Sequence, residues 1–453
     1  MGAMEGTFRR RGRRGKRPRF SIVVPTRDRP DLLEFCLEGI ARQTFGDVEV
    51  VVADNPVQLP AKETYSRFER AGWRYVRAES PLSMHDNFER GCAGATGDYV
   101  AVLIDKTILH PNALEVADAV LSAHPKADLL TWWSEGYVPE DEERTVGAGL
   151  YTPTRSPTSP QVYDSAAELV KIYSQVERRG IDPIHYFRGK IVFGAYSRAL
   201  LGRIREHTDR VFYPLSPDYT SRIPALVFSE CAVDVGRPLL ISYNSARSNG
   251  GRISASPAYA RRFIREADAA ALDALPIHGV YASPHNIVAY DLVRAAARCP
   301  VGSVPALDIT NLIRRVREDL GAVEWSTARE RAEQYAFLEA AERRLGITPG
   351  DEEQDHHEQV DEEDHRQQEH LYRQGLVERV RARVRRAMHG DPEPQWTWTS
   401  PQARFGSPVA AAAAAADYYV SHAPPMAASA PTHGSKGNNG LRRVAEALLG
   451  RSV

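Results

Sequence analysis

From Phe20 onward the apolar positions switch between two spacings. Ser21–Val24 forms a short β run, and Leu32, Leu33, Cys36, Leu37 and Ile40 then recur at helical spacing. Val48–Ala53 is an unbroken apolar run of the kind buried on both faces of a sheet. A weaker unit follows, with Arg74–Ala78 as strand and Asp86–Ala95 as helix. Tyr99–Ile104 predicts a central strand and Pro111–Ala123 the next helix, since proline suits a first helical turn; Ala127–Trp133 closes this half. Such alternation predicts an α/β protein with a mostly parallel sheet.

Pro139–Gln161, rich in Pro, Thr, Ser and acid, interrupts the pattern and reads as a long loop, a length uncommon unless functional or disordered. Beyond it Ser165–Arg178 predicts a helix, Lys190–Tyr196 a strand, Asp218 a helix opening directly after Pro217, and Leu239–Tyr243 a last strand. Pro257–Gly346 is mostly helical, with strong amphipathic character over Asn311–Leu345. Four units result. They are a disordered basic tail over 1–19, an α/β domain over 20–255, a helical extension over 256–349 and a mostly disordered tail over 350–453.

Charge sharpens the picture of the ends. The formal net charge of the 453 residues is −1, which provides no global field for nucleic acid, so no specific nucleic-acid partner is expected. The charge is segregated instead. Residues 1–19 are Arg/Gly-rich, suited to solubilising the chain or to tethering it to an anionic lipid or polymer, and 350–370 is acidic. His356, His357, His365 and His370 lack fixed spacing and read as solvated charge, not as a metal cage. The basic amphipathic segment 371–388 suits an anionic membrane surface, as a peripheral contact, or pairing with the acidic run before it; Leu441–Leu449 reads as a small helix. No apolar run reaches the roughly 18 residues needed to span a bilayer, and Ala410–Ala416 is too short. Cys36, Cys92, Cys231 and Cys299 are widely spaced, which argues against a zinc site or a disulfide framework and fits a reducing cytoplasm. The N-terminal basic run has no apolar segment after it, so no secretory signal is expected.

Candidate chemistry clusters at strand ends, where ligands sit in open α/β sheets. Pro25-Thr26-Arg27 follows the first strand, with Pro25 expected to supply a bend. Asp54 ends the second strand, where it could accept a hydrogen bond from a base imide or a ribose hydroxyl. Asp86 and Asn87 suit either a helix N-cap pair or a ligand contact. Asp105-Lys106 ends the central strand, Ser216-Pro217-Asp218-Tyr219 precedes a helix, and Asn244–Arg252 is a Gly/Ser-rich loop with Arg donors.

Together, Phe20–Asn55, Leu82–Leu114, Phe187–Lys190, Ser216–Tyr219 and Asn244–Arg252 resemble the family 2 glycosyltransferases of the GT-A fold. That resemblance implies a Rossmann-like, mostly parallel sheet with flanking helices, to which the C-terminal helical extension is added. It implies an inverting transfer of a sugar, UDP-linked in the family's manner, from a nucleoside diphosphate donor to a hydroxyl on a glycan, lipid-linked or small-molecule acceptor. Pro25, Thr26, Arg27, Asp54, Asn87, Asp105, Lys106 and Arg247 would bind the nucleotide sugar, Asp218 would be the catalytic base, and 139–161 would be a lid or acceptor-side loop. One departure matters. The family carries a further acid where this chain has Lys106, so Mn²⁺ or Mg²⁺, with Asp105 as its ligand, is expected only if a metal is used at all. The alternative is a non-catalytic GT-A-like protein that binds nucleotide or glycan. A nucleotidyltransferase would need a phosphate-cradling Gly-rich loop after the first strand, which Thr26–Asp31 does not provide.

Overall fold

A computed structural model describes residues 17–140, 149–153, 157–175, 183–244, 249–347 and 403–422. An 11-stranded sheet forms its centre. The strands β1 (Phe20–Thr26), β2 (Val48–Asp54), β3 (Trp73–Arg77) and β4 (Tyr99–Val102) are parallel in the order β3-β2-β1-β4. Side chains alternate between two cores as strand geometry requires. Ile22 and Val24 face the helices α1 (Pro30–Ala41) and α4 (Ala113–Ala123), whereas Val23, Val51 and Val102 face α3 (Met84–Ala93). The short α2 (Lys62–Phe68) lies between β2 and β3 in the chain. Proline at its start and seven buried positions fix α1, and Gly39 lets it lie directly on the sheet. A Cβ there would come within 2.9 Å of the Ile108 side chain and 3.1 Å of the Leu109 amide.

Past β4 the sheet becomes mixed. The short β5 (Thr107–Leu109) pairs antiparallel with the long β10 (Ala232–Tyr243), and β6 (Leu129–Pro139) pairs parallel with β10. The strand β9 (Gly194–Ser197) runs antiparallel between β4 and β6. Two strands, β7 (Gly149–Thr152) and β8 (Gln161–Tyr163), lie inside or at the edge of the segment expected to be a loop, and β6 runs on to Pro139. The register of β10 against β6 slips between Asp234 and Leu240. Gly236 makes this bulge, at φ +76°, where a Cβ would sit 2.5 Å from the Thr158 carbonyl oxygen.

The predicted Ser165–Arg178 helix is observed as α5 (Ser165–Tyr173), capped by the Asp164 carboxylate; residues 176–182 lie outside the described residues. Lys190–Tyr196, expected as one strand, divides into a 3₁₀ turn at Ile191–Phe193 and β9. Helices α6 (Pro183–Phe187), α7 (Arg198–Thr208), α8 (Pro217–Thr220) and α9 (Arg222–Phe228) complete the α/β part. The predicted Pro111–Ala123 helix begins two residues later, at Ala113.

The helical extension comprises α10 (Asn249–Ala255), α11 (Pro257–Ala267), α12 (Ala271–Ala274), α13 (Pro284–Ala296), α14 (Ile309–Ala322) and α15 (Ala328–Leu345). The expected Asn311–Leu345 stretch is two helices. Thr327 caps the second by accepting from the Glu330 amide, and Gly346 ends it at φ +68°. Ile264, Tyr290, Leu312, Val316 and Leu338 form the centre of a third core, which Leu215 and Ile253 join.

Within the tail expected to be mostly disordered, residues 403–422 are ordered. The strand β11 (Ala403–Phe405) pairs antiparallel with β7, and α16 (Pro408–His422) lies on α1, β5 and β10. The alanine run is bland in sequence because it carries no periodicity, yet alanine is the best helix former and its small side chain allows close contact. Ala411, Ala412 and Ala415 are buried against Phe35, Ile108 and Tyr243. Tyr419 donates a 2.6 Å hydrogen bond to buried Glu135, which also accepts from Tyr151 at 2.6 Å and lies 3.1 Å from His110. The expected segments at 371–388 and 441–449 lie outside the described residues. Among the described residues no helix is long and apolar enough to cross a membrane.

Candidate functional site

The carboxyl ends of β1, β2 and β4 bring Thr26, Asp54 and Asp105 to one edge of the sheet. Asp105 occupies a tight turn in which the Thr107 amide and hydroxyl both donate to the Ile104 carbonyl, at 2.8 and 2.7 Å. Its carboxylate is fully buried. Thr26 Oγ1 donates to Oδ2 at 2.8 Å, and the Arg29 guanidinium stands 3.1 Å from Oδ1. Burial pushes the Asp105 carboxyl up from its ordinary value, while Arg29, the Thr26 hydroxyl and Lys106 pull it back. Lys106 is half-buried, and its carbonyl accepts from the Tyr243 amide at 2.8 Å, which ties the turn to β10.

Asp54 lies in a cradle formed by the loop after β2. Its Oδ2 accepts from the Ala61 amide at 3.0 Å and from the Tyr75 hydroxyl, whereas buried Oδ1 has no hydrogen-bond donor among the described residues. A buried carboxylate oxygen without a donor is costly unless a ligand supplies one. The cradle is held from the other side by Asp28, whose Oδ1 accepts from the Val57, Gln58 and Leu59 amides at 2.8–2.9 Å. Partial burial raises the Asp28 carboxyl, but those three amides and Arg27 outweigh it and hold the group below its ordinary range. Asn55 exchanges two 2.9 Å hydrogen bonds with the Leu82 backbone, which closes the edge.

Several expected residues take other places. Pro25 makes no bend: it is the sixth residue of β1, paired with Ala53, and the turn falls at Asp28, whose φ is +54°. Proline is tolerated there because pairing of β1 with β4 ends at Val23, so its missing N–H would face no partner strand. Arg27 is exposed beyond the strand end. Asn87 is buried behind the edge, donating to the Ala53 carbonyl at 2.9 Å and accepting from Arg90, which also grips the Asp54 carbonyl. In this position it braces β2. The helix cap expected of Asp86 and Asn87 belongs to Ser83, whose hydroxyl accepts from the Asp86 amide. Arg247 lies outside the described residues.

Asp218 sits on α8, which rests on α3 and α13. It is half-buried and, among the described residues, its carboxylate makes no hydrogen bond, so it is not acting as a cap. Next to it Tyr219 and Tyr186 enclose the buried Lys190 ammonium, 3.7 and 3.3 Å from their ring centres, and Arg222 lies 4.3 Å from the Tyr219 ring. This cation–π cluster is held by a buried ionic network. Arg188 donates to Glu168 at 2.6 Å and to Asp234 at 3.3 Å, and His185 lies 2.6 Å from Glu168. Burial raises the Glu168 carboxyl, but His185 and Arg188 hold it below its ordinary value. Sequence reasoning had marked Phe187–Lys190 but missed Arg29, Tyr75 and the Asp28 clamp, which show only once strand ends are adjacent.

The described residues form no ready-made cage for a divalent ion. Held by protein alone such an ion wants several free carboxylate oxygens, whereas beside a diphosphate one or two suffice. Among the described residues no three His, Cys, Asp or Glu side chains gather closely enough to hold one. Asp105 Oδ2 accepts from Thr26, whereas Oδ1 faces the Arg29 guanidinium at 3.1 Å without a hydrogen-bond donor among the described residues, and a lysine follows.

Residues 21–159 match the family model described as "Glycosyl transferase family 2". Over 116 residues the chain is 30% identical to a PGL/p-HBAD biosynthesis glycosyltransferase of Mycobacterium tuberculosis (strain ATCC 25618 / H37Rv), covering 25% of this chain and 45% of that protein. Over 100 residues it is 28% identical to a GalNAc(5)-diNAcBac-PP-undecaprenol beta-1,3-glucosyltransferase of Campylobacter jejuni, covering 21% of this chain and 32% of that protein. The chain thus spans less than half the length of these curated relatives. Among solved structures, S. aureus TarS 1-349 in complex with UDP-GlcNAc is similar with a TM-score of 0.41 at 15% identity, covering 72% of this chain and 92% of that one. The mannosyltransferase PcManGT from Pyrobaculum calidifontis, in complex with GDP-Man and Mn²⁺, gives a TM-score of 0.35 at 16% identity, covering 74% and 89%.

Proposed function

We propose that this chain, whose residues 21–159 match the family 2 glycosyltransferase model, transfers a sugar with inversion from a nucleoside diphosphate donor, UDP-linked, to a hydroxyl on a glycan, lipid-linked or small-molecule acceptor. The observation that carries the reading is the Asp54 cradle: a buried carboxylate oxygen lacking a donor, at the end of β2 beside Thr26 and Asp105. A uracil imide or a ribose hydroxyl supplies the missing hydrogen bond. The sheet, parallel on this side and flanked by helices, has the GT-A arrangement.

In the reaction Asp218 takes the proton of the acceptor hydroxyl as its oxygen forms a bond to the anomeric carbon. The bond from that carbon to the diphosphate oxygen breaks on the opposite face, and the diphosphate leaves with the electron pair. A positioned carboxylate base is worth roughly 10² to 10⁴ in rate. Lys106, in place of the family's metal-binding acid, supplies positive charge toward the leaving group, so chelation should cost little. Asp218→Asn should abolish transfer and spare nucleotide affinity.

Calorimetric titration of UDP, GDP and dTDP, each with Mn²⁺ and again with EDTA, tests the donor side. Equal UDP affinity in both, weakened by Lys106→Ala, supports the reading. Binding that appears only with Mn²⁺ overturns the role of Lys106, and nucleotide binding without any sugar transfer favours a non-catalytic binding protein.

A further inference from the structure

Asp291 belongs to α13 in the helical extension and is fully buried. Its Oδ2 accepts hydrogen bonds from the Leu215 amide at 2.9 Å, the Ser216 amide at 2.7 Å and the Ser216 hydroxyl at 3.0 Å. These donors belong to the two residues immediately before α8, the four-residue helix that carries Asp218. Ser216 occupies the N-cap position of α8 without a side-chain capping bond, because its hydroxyl is turned to Asp291. A single helical turn cannot hold its own orientation, since helix nucleation is unfavourable. Among the described residues the Asp218 carboxylate makes no hydrogen bond, although the Asp218 carbonyl accepts from Ser221 Oγ at 3.5 Å, so the backbone sets where the carboxylate points.

We propose that Asp291 is a positioning residue for Asp218, anchoring the start of α8 from the helical extension and so making that extension part of the transfer site. The inference rests on Asp218 being the base. It assigns a function to a buried acid 73 residues further along the chain, outside the matched segment 21–159. A carboxylate shifted by about 1 Å can cost ~10²-fold in rate, which is the scale at stake.

The test uses the full chain with Asp291→Ala, Asp291→Asn and Asp218→Asn. It measures kcat and acceptor KM for transfer, UDP affinity by calorimetry, and amide hydrogen exchange over residues 213–221. Asp291→Ala should lower kcat by roughly 10- to 100-fold with UDP affinity unchanged. Exchange at Leu215 and Ser216 should quicken, and Asp291→Asn, which keeps an acceptor oxygen, should recover most of the rate. Should Asp291→Ala fail to fold, Ser216→Ala removes one of the bonds and should lower kcat severalfold. Turnover retained by Asp291→Ala despite faster exchange overturns the inference, as does unchanged exchange. Failure of the base reading shows differently, as turnover retained by Asp218→Asn.

Discussion

Asp105 illustrates how one carboxylate changes meaning with its neighbours. An acid at the end of a central strand suggests a metal ligand, but here Arg29 and Thr26 already engage it in a buried position. Removing one partner of a buried ion pair typically costs about 3–5 kcal/mol. Arg29→Met should therefore lower the urea midpoint markedly, and Arg29→Met/Asp105→Asn should recover most of the loss. Recovery no better than additive would show that the pair is not coupled. Asp28 allows a pH test. Its folded carboxyl titrates below its ordinary 3.8, so its stabilisation is present above that value and fades as pH falls through the lower folded one. Acid unfolding of Asp28→Asn should accordingly depend less on pH below about 4. Neither neighbour was legible in the sequence, because Arg29 lies 76 residues from Asp105, and Asp28 reaches a loop about 30 residues away.

Elements were legible where apolar runs were continuous. The strands β1, β2 and β4 fall within about two residues of their predicted limits, and their polar end residues lie together at one edge of the sheet. The β9 region was less legible, since an apolar run does not distinguish a 3₁₀ turn followed by a strand from one continuous strand. The least legible element was α16, whose alanines carry no hydrophobic contrast. Its weight in the fold is open to measurement. Tyr419→Phe removes one donor from buried Glu135 and should cost about 1–3 kcal/mol in chemical denaturation. Ala412→Asp places a charge at a buried helix position and should detach residues 403–422, seen as rapid proteolysis there. Resistance equal to the unaltered chain would mean that this contact is dispensable.

Across the whole molecule one buried acid, Asp291, is among the groups that join the helical extension to the α/β part, beside the Tyr173–Leu292 and Asn311–Ser174 hydrogen bonds. Burial pushes Asp291 up to about 7, against the pull of the Ser216 and Leu215 donors and Arg294. Folded chains then hold a proton that unfolded chains release above 3.8, so this contribution is complete below that pH and is lost as pH rises through about 7. Stability should fall across that window, and Asp291→Asn should flatten the profile of melting temperature against pH. A slope that persists in the variant would place the titrating group elsewhere.

The last described segment also has a consequence for how the molecule is made. Tyr419 meets Glu135 across 284 residues of chain, and β11 closes an edge that β7 presents far earlier. At synthesis rates of about 5–20 residues per second, that interval lasts roughly 15 to 60 s. For its duration a nascent chain exposes an unpaired strand together with the aromatic surface of Phe35, Tyr137 and Tyr243 that α16 later covers. Biogenesis is therefore a stage at which this chain is exposed in a way the finished fold is not. A ribosome-bound intermediate halted before residue 403 should capture chaperones that one released with the full chain does not.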